Sequence, residues 1–341
     1  MKQKKFGIVL LSCVMVISLL FTSTAYAQDE ELQLPNPGIT PDSPFYFADI
    51  WGKKIGLFFT FGAEAKANKA LEYAEERLAE VRIMAAKNKS RGVKQAVGGY
   101  DEFLAIVTEK AEEARRQGVS GNISEIVALA TSKHLSIFDE VEDIVPEEAK
   151  EAIAQARGAS INGLGNGLRA LATENPERAM EINLAAVEGR LNRAKAKAEG
   201  NEIDEVENAL NEFETLSGFG REIAEMARGL SDNTTVEQLV ARAASHHLEV
   251  LALVYDKVPE QAKPAIESVM AVSVTGLQKA IEALMGKGAL GEIPEEVTLP
   301  AAIPNVAKKR ILKLKVPKPG VSESEEEEEV EAPGRGRSQK S

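Results

Sequence analysis

Apolar residues recur at steps of three and four along most of the chain. In the clearest stretch the apolar positions are Leu71, Ala74, Leu78, Val81 and Ala85, and this spacing places their side chains on one face of a helix. The same pattern predicts three further helices, near residues 92–117, 121–144 and 147–173. The alternating pattern typical of strands is almost absent, so we predict an all-α fold.

The chain also contains an internal repeat. The stretch ATSKHLSIFDEVEDIVPEEAKEAI at 130–153 matches AASHHLEVLALVYDKVPEQAKPAI at 243–266 without a gap. His134 thus pairs with His247, an offset of 113 residues (247 − 134), and other matching stretches keep the same offset. A gapless repeat of this length indicates that one structural unit was duplicated. We therefore predict two tandem antiparallel helical bundles.

The ends of the repeat set the predicted domain bounds. Asn175 and Pro176 separate the two copies, because proline disfavours helical geometry in the residue before it. The helical pattern dissolves after about residue 288. The predicted segments are a signal peptide at 1–27, a proline-rich linker and aromatic docking helix at 28–61, bundle copy one at 62–174, bundle copy two at 175–288 and a disordered charged tail at 289–341.

The first 27 residues have the pattern of an export signal. MKQKK is basic, the run Phe6–Thr22 is apolar, and Ala25 and Ala27 form a small-residue cleavage site, which are the three parts of a secretory signal peptide. We therefore expect the protein to be exported, and to be secreted or held in the cell envelope. Two alternatives stay open. The leader could remain as a membrane anchor, since the run approaches the ~20 residues that span a bilayer, or lipid could be attached at Cys13.

Charge and cysteine content narrow the function classes. The formal net charge is −12, and removing the three lysines of the leader brings it to −15 (−12 − 3). Phosphate backbones are bound by clustered lysine and arginine, so we expect no nucleic-acid partner. Cys13 is the only cysteine of the chain and is removed with the leader. The mature chain would therefore use neither a disulfide nor a thiolate metal site.

The predicted tail segregates its charges. Lys308–Lys318 is a basic segment, Glu323–Glu331 is acidic, and prolines interrupt the sequence before and between them. Such a sequence buries too little apolar surface to offset its ordering entropy, so we predict disorder. The tail either keeps the protein soluble or attaches it to an envelope polymer or anionic lipid through the basic segment.

Residues 35–61 hold seven aromatic side chains, including the only tryptophan, in a chain that is 5% aromatic. A helix is predicted to start here, because the side-chain oxygen of Ser43 can accept a hydrogen bond from a free amide of the first turn. Pro44 has a fixed φ that suits the first helical position. We expect the helix to dock its rings on the first bundle. The predicted docking residues are Phe45, Phe47, Trp51, Phe58 and Phe61. The alternative is an interfacial anchor, with the rings among lipid headgroups beside Lys53 and Lys54.

This proline-spaced aromatic start resembles that of a known family. The letters PGITPDSPFYF are followed by WGKKI and then by a Thr-capped helix that carries AEERLAEV. Over roughly residues 34–144 the pattern resembles a family of exported bacterial proteins, domain of unknown function 5667. The resemblance implies export and a helical domain, and it implies no activity and no catalytic residue. The second copy lacks the aromatic start and keeps only the helical body.

Polar residues that agree between the two copies form the candidate site. We predict a buried polar cluster in each bundle, in which arginine bonds glutamate near a histidine and fixes helix register. The predicted members are Arg77, Glu109, Glu112, Arg115 and His134 in copy one, and Arg190, Glu222, Glu225, Arg228 and His247 in copy two. The alternative is a metal site made of Glu109, Glu112 and His134 in one copy and of Glu222, Glu225 and His247 in the other. The sequence has neither the Glu-x-x-His pair of di-metal bundles nor a zinc motif, which disfavours that alternative.

Sequence motifs for nucleophilic or phosphate chemistry are missing. There is no G-x-S-x-G and no Walker-type loop, and Gly163, Gly165 and Gly167 fall within a predicted helix, where small residues permit close packing. We therefore expect no enzyme activity and no cofactor. We expect a structural or interaction module of the cell envelope, whose partner is an unknown protein or envelope polymer. Membrane contact stays open, although the cleaved chain is not expected to be integral. The alternatives are a metal-binding bundle and a wall or membrane adaptor that uses the charged tail.

Overall fold

The structure, a computed structural model, describes residues 34–118, 122–230 and 234–289, together with residue 297. In this part of the chain it contains nine α-helices, one short 3-10 helix and no strand. The all-α prediction is therefore confirmed. The helices are α1 Tyr46–Phe58, α2 Ala63–Ala86, α3 Ser90–Arg116, α4 Ile123–Glu142, α5 Lys150–Ala172, α6 Pro176–Glu199, α7 Ile203–Leu230, α8 Thr235–Tyr255 and α9 Lys263–Gly286, with the 3-10 helix at Glu147–Ala149.

Several predicted segments lie outside the described residues. The signal peptide at 1–27 and the lipid-attachment alternative at Cys13 fall there. So does the predicted tail at 289–341, apart from residues 289 and 297. Among the helices that the structure does describe, none is long and apolar enough to cross a membrane.

The helix bounds repeat with the offset found in the sequence. α2 begins at Ala63 and α6 at Pro176 (176 − 63 = 113), and the two helices end at Ala86 and Glu199 (199 − 86 = 113). In the same way α3, α4 and α5 recur as α7, α8 and α9, within one residue at each end. The duplicated helical unit predicted from the sequence is therefore present in the fold.

The turn between the first two helices of the unit is also repeated. Asn88 has φ 54° and Asn201 has φ 57°, the left-handed conformation that asparagine tolerates better than most residues. The next amide, of Lys89 in one copy and of Glu202 in the other, donates to a carbonyl in the last turn of the preceding helix at 2.9 Å. This is the hydrogen bond of a Schellman cap. The first helix of both copies therefore ends in the same type of C-cap.

The chain divides into two compact units, residues 1–189 and 190–341. The division falls inside α6, and the predicted bundle boundary at 174/175 stays a prediction. In the first unit α2 packs on α3 and α4 on α5, while α3 also contacts α5. In the second unit α8 packs on α9, which also contacts α7.

Small and medium-sized apolar side chains fill the core of the first unit. The stripe predicted on α2, from Leu71 to Ala85, is buried. α4 and α5 approach each other closely at Gly167, where a Cβ would lie 2.9 Å from the backbone nitrogen of Ala128. Only glycine leaves room for a backbone at that distance. The prediction that the glycine run of α5 serves helix packing is confirmed at this position.

Candidate interaction surface

Helix α1 carries polar and aromatic side chains on opposite faces. Tyr46, Asp49 and Lys53 follow one another at steps of three and four and therefore share one face. Tyr46 and Lys53 are buried, and α1 contacts α2, so the polar face is the one that lies on the body. The opposite face carries Phe47, Trp51, Ile55 and Phe58.

The aromatic side of α1 is exposed to solvent. We define the aromatic face as those four residues together with Phe45, Phe59 and Phe61 at the ends of the helix. All seven are between 51% and 82% exposed, and they are seven of the 13 exposed large apolar residues in the described part of the chain. The prediction that the rings dock on the first bundle is therefore wrong. It fails for every residue assigned to it: Phe45, Phe47, Trp51, Phe58 and Phe61.

Arg77 on α2 is the centre of the contact between α1 and the bundle. Its Nη1 donates to the two carboxylate oxygens of Glu80 at 2.7 and 2.8 Å and also to Tyr46 Oη. Its Nη2 donates to Asp49 Oδ2, and Tyr46 Oη donates to Glu80 at 2.7 Å. Charge-assisted hydrogen bonds are stronger than neutral ones. The three bonds that involve Tyr46 or Asp49 join α1 to α2, between residues that lie 28 to 34 positions apart in sequence.

Lys53 extends the same network along α1. Its Nζ donates to Asp49 Oδ1 at 2.7 Å and lies 2.6 Å from Glu76 Oε2. The network therefore pairs every charge that the contact buries. If α1 were turned over to bury its rings, Arg77 and Glu80 would lose partners in the core, and breaking a buried ion pair is strongly destabilising. This is the physical reason why the rings point outward. We refer to Tyr46, Asp49, Lys53, Glu76, Arg77 and Glu80 as the docking network.

Burial shifts the pKa of two groups in the docking network. It raises the pKa of Glu80 to about 7, although Arg77 and Tyr46 oppose the rise by stabilising the carboxylate. Burial also raises the pKa of Tyr46 above its usual range, and the hydrogen bond with Glu80 adds to that rise. Glu80, which lies under α1, therefore has a pKa close to neutral pH.

Ion pairs also hold the chain that precedes α1. Asp42 Oδ2 accepts hydrogen bonds from Lys89 Nζ at 2.7 Å and from Lys87 Nζ at 3.1 Å. Lys89, followed by Thr40 and Lys87, holds the pKa of Asp42 well below its usual range. Both lysines belong to the turn between α2 and α3. The segment ahead of α1 is thus attached to the same bundle as α1 itself.

The second copy shows why the first copy needs α1. Arg190 corresponds to Arg77 (190 − 77 = 113) and is also buried. Its Nη1 donates to Glu212 Oε2 at 3.1 Å, and the residue that corresponds to Glu212 in copy one is Gly99 (212 − 99 = 113). A Cβ on Gly99 would lie 2.9 Å from Arg77 Cδ. Copy one therefore has no side chain at this position to pair with its arginine, and the partners are Glu80 of α2 together with Tyr46 and Asp49 of α1.

The structure divides the polar cluster predicted for copy one. Arg77 and His134 are buried, whereas Glu109, Glu112 and Arg115 lie exposed on α3. Both glutamates pair with a cation of their own helix. The prediction that Arg77 or Arg115 bonds them is therefore wrong. The cause is that apolar residues take the core-facing positions of α3, which leaves the glutamates on its outer side.

The cluster predicted for copy two divides in the same way. Arg190 and His247 are buried, whereas Glu222, Glu225 and Arg228 lie exposed on α7. That prediction is wrong for the same reason. Each copy keeps the buried arginine and the buried histidine that the sequence predicted, without the carboxylates that were assigned to them.

His134 is a core residue of the first unit. Its Nδ1 shares a hydrogen bond with Tyr100 Oη at 2.9 Å, and Tyr100 Oη also bonds Ser160 Oγ. Its Nε2 lies 3.9 Å from Glu75 Oε1, which is too long for a hydrogen bond. Burial lowers the pKa of His134, although Glu75 opposes the change. The side chain is therefore neutral at neutral pH.

His247 takes the equivalent place in the second unit. It packs edge-on against Phe213 with the ring centroids 5.2 Å apart, and Phe213 corresponds to Tyr100. Burial, followed by the charge of His246, lowers the pKa of His247 to about 4. This geometry supports the interpretation of both histidines as core residues.

The alternative metal set is not brought together. In copy one His134 is buried while Glu109 and Glu112 are at the surface. In copy two His247 is buried while Glu222 and Glu225 are at the surface. Among the residues that the structure describes, no group of three or more His, Cys, Asp or Glu side chains is placed to hold a metal ion.

Sequence reasoning missed most of the docking network. The residues it did not assign to the network are Tyr46, Asp49, Lys53, Glu76 and Glu80, and Lys53, which the membrane alternative placed beside the lipid headgroups, is buried. Part of the signal was present, because the first three share one face of α1 and the two glutamates flank Arg77 on α2. The signal that was lacking is which face of α1 the bundle accepts, since that depends on partners distant in sequence.

The fold and the surface together define an all-helical repeat protein with an exposed aromatic helix face. Residues 38–148 match the family model described as Domain of unknown function (DUF5667), so the predicted resemblance to this domain family is confirmed over that range. Export, which the resemblance implied, stays a prediction. The match covers α1 to α4 and therefore includes the aromatic face.

One solved structure that resembles the chain is described as a circular tandem repeat protein with novel repeat topology and enhanced subunit contact surfaces. The TM-score is 0.53 and the sequence identity is 11%, and the match covers 74% of this chain and 54% of that chain. At this identity the likeness shows the fold alone. No curated protein matches the chain.

Proposed function

We propose that this protein is a non-enzymatic interaction module of the cell envelope, and that the aromatic face is the surface through which it binds its partner. The observation that carries the proposal is the orientation of α1. Its polar face is held on the bundle by the docking network, and seven large apolar side chains stay in solvent.

Leaving the aromatic face in water is unfavourable. Burying a phenylalanine fully contributes about 1.5–3 kcal/mol relative to leaving it exposed. A large aromatic side chain can bury roughly 150–250 Å², so a few exposed rings reach the few hundred Å² that monomeric soluble proteins rarely exceed in one patch. Patches of this size are typical of binding surfaces. A partner that covers the rings would therefore be bound by the hydrophobic effect.

The face is also presented rigidly. Arg77 binds Tyr46 and Asp49, and Lys53 pairs with Glu76, so the inner side of α1 is fixed to α2. Asp42 fixes the preceding segment to the α2–α3 turn. A surface that is already ordered loses less conformational entropy when it binds. The docking network thus supports binding without contacting the partner itself.

The other parts of the proposal rest on the sequence and on the position of the polar residues. Envelope location is supported by the leader pattern at 1–27. The non-enzymatic part is supported by the placement of His134 and His247 in the two cores, away from the surface glutamates. Attachment through the charged tail is the second candidate, and its basic segment lies outside the described residues.

An envelope-binding assay tests the proposal. The mature chain, residues 28–341, is mixed with washed envelope membranes of the source organism and sedimented. The variant Phe47→Ser/Phe58→Ser removes two rings of the aromatic face and leaves the docking network unchanged. We expect it to lower the bound fraction at least tenfold.

The matched control is Ile144→Ser/Leu253→Ser, which removes two exposed apolar side chains elsewhere, 50% and 52% exposed. It should bind like the wild type. Circular dichroism verifies that all variants are folded. Equal binding of the wild type and the ring variant would overturn the proposal.

A further inference from the structure

We infer that the partner of the aromatic face is a lipid bilayer, with α1 lying along the membrane surface and the rings among the headgroups. The inference rests on the proposed function, because it names the partner of the same face. The shape of the face, its side chains, its charge and its position in the chain each favour lipid over a protein partner.

The aromatic face is a ridge on a single helix. From Phe47 to Phe58 it runs about 16 Å along the axis at 1.5 Å per residue, and its side chains project away from the bundle. A protein partner would need a groove that matches this ridge, whereas the headgroup region is deformable. Amphipathic helices that lie in the interface bury their apolar face about 5–10 Å deep, a depth that aromatic side chains reach.

The residue types are those found at membrane surfaces. Six of the seven residues of the face are aromatic and only Ile55 is aliphatic. Tryptophan is enriched at the membrane–water interface, and Trp51 lies in the middle of the ridge. Beside the ridge, Lys54 is half exposed and pairs with the half-exposed Glu102 at 3.0 Å. A lysine in this position can cover apolar surface with its stem while its ammonium group stays in water.

The segment that carries the face is poor in acids although the protein is acidic. Between residues 43 and 61 the only charged side chains are Asp49, Lys53 and Lys54. Asp49 is turned inward, where Lys53 and Arg77 pair with it. The net charge of the whole chain is −12, and negative charge is repelled by anionic lipid. The protein would therefore approach a membrane with this segment first.

The position of α1 in the chain agrees with this orientation. The leader predicted at 1–27 would bring the chain to a membrane during export. α1 begins 19 residues after the end of that leader (46 − 27) and is the first described helix. The aromatic face thus belongs to the part of the described chain that is nearest in sequence to the membrane-directed segment.

A vesicle-binding experiment tests the inference, and Trp51 is its reporter because it is the only tryptophan. The mature chain is titrated with phosphatidylcholine vesicles and, separately, with vesicles that contain a minor share of phosphatidylglycerol. We expect a blue shift of the Trp51 emission, co-sedimentation with the vesicles, and quenching by lipids brominated near the headgroup. The variant Phe47→Ser/Phe58→Ser keeps the reporter and should partition at least tenfold less. The variant Ile144→Ser/Leu253→Ser should partition like the wild type.

Three results would overturn the inference. If neither vesicle shifts or quenches Trp51 while envelope binding still depends on Phe47 and Phe58, the partner is a protein or an envelope polymer, and the proposed function stands. If the chain forms a dimer that buries Trp51 and that the ring variant abolishes, the partner is a second copy. If the chain binds neither vesicles nor envelopes, both the inference and the proposed function fail. Quenching by brominated lipid uses the wild-type chain, so the test remains decisive even if a variant does not fold.

Discussion

Gly98 and Gly99 are neighbours on α3 with opposite surroundings. A Cβ at Gly99 would lie 2.9 Å from Cδ and 3.2 Å from Nε of Arg77, whereas a Cβ at Gly98 would have nothing within 4 Å. The guanidinium of Arg77 is held by Glu80, Tyr46 and Asp49. Its stem therefore cannot move aside without weakening those bonds.

We expect Gly99→Ala to lower the free energy of unfolding by about 1–3 kcal/mol, the usual effect of overpacking. Gly98→Ala is the matched control. Because alanine favours a helix over glycine by up to about 1 kcal/mol, we expect it to leave stability unchanged or to raise it. Urea unfolding followed by circular dichroism measures both variants. Equal effects would contradict the assigned position of Arg77.

Arg77 itself is expected to be the most sensitive residue of the docking network. In Arg77→Met, Glu80 would stay buried without its cation and would have to take up a proton, and breaking a buried pair in this way costs about 3–5 kcal/mol. Adding Glu80→Gln should recover part of that loss, because glutamine is neutral without taking up a proton. The measurement is the free energy of unfolding in urea.

The control for Arg77 is Arg82→Met on the same helix. Arg82 is about half exposed and lies 3.9 Å from Glu140, so its substitution should change stability by no more than about 0.5 kcal/mol. A melting temperature in Arg77→Met that matches the wild type would show that the network does not hold α1.

At the scale of elements, α1 packs on the bundle through its polar face. Substitutions can test the contribution of this face separately from that of the aromatic face. Tyr46→Phe/Asp49→Asn removes the Tyr46 hydroxyl that bonds Arg77 and Glu80 and the negative charge of Asp49 that pairs with Arg77 and Lys53. The aromatic face is unchanged. We expect the amides of α1 to exchange with deuterium at least tenfold faster. The measurement is hydrogen exchange followed by mass spectrometry.

In the same experiment Phe47→Ser/Phe58→Ser serves as the comparison. Since those rings are exposed, their removal should leave the exchange of α1 nearly unchanged. If this variant loosens α1 more than Tyr46→Phe/Asp49→Asn does, the helix is held by its rings and the orientation described above is wrong.

The presence and bounds of the helices could be predicted from local patterns, whereas the orientation of α1 could not. The predicted helix at 147–173 corresponds to α5 Lys150–Ala172, with its start replaced by the 3-10 helix at Glu147–Ala149. An amphipathic helix usually buries its apolar face, and that rule led to the wrong docking face. It was outweighed by ion pairs between α1 and α2, whose partners no local spacing reveals.

At the scale of the whole molecule, the two units carry buried titratable groups of different kinds. In the second unit burial lowers the pKa of His247 from 6.5 to about 4, so the unfolded chain binds a proton more readily than the folded one. The contribution of His247 to the free energy of unfolding is complete above about pH 6.5 and is lost as the pH falls towards 4.

In the first unit the pKa of Glu80 is raised to about 7, so the effect of Glu80 on stability has the opposite sign. Stability there falls as the pH rises from about 4.5 to 7, while the lowered pKa of His134 acts as in the second unit.

Between pH 7 and pH 4.5 we therefore expect α8 and α9 to lose protection, by up to about 3 kcal/mol from His247. His247→Gln should remove most of this dependence. The control is His246→Gln, at the exposed neighbouring residue, and this variant should keep the pH dependence of the wild type. Hydrogen exchange corrected for the intrinsic rate at each pH is the measurement. An unchanged pH dependence in His247→Gln would show that the imidazole is not its source.

Duplication was the clearest sequence signal for the whole molecule, and it is confirmed in the helix bounds. Agreement between the copies predicted burial correctly for two of the five polar pairs, Arg77 with Arg190 and His134 with His247; the members of the other three pairs are exposed. It did not predict their partners, because each copy supplies different ones: Glu80 and α1 in the first, and Glu212 in the second. The buried arginine is common to both copies, whereas its hydrogen-bond partners differ. A comparison of the two copies identifies only the residues that they share.

The shared asparagine turn makes the helical unit exchangeable at the level of the gene. Because Asn88 and Asn201 have the same left-handed backbone and the same cap, recombination between the two hairpins would join helices across an unchanged connection. The product would gain or lose 113 residues (201 − 88), which is one whole helical unit, and would need no new loop conformation. Since α1 precedes both hairpins, each product would keep a single aromatic helix whatever its number of bundles.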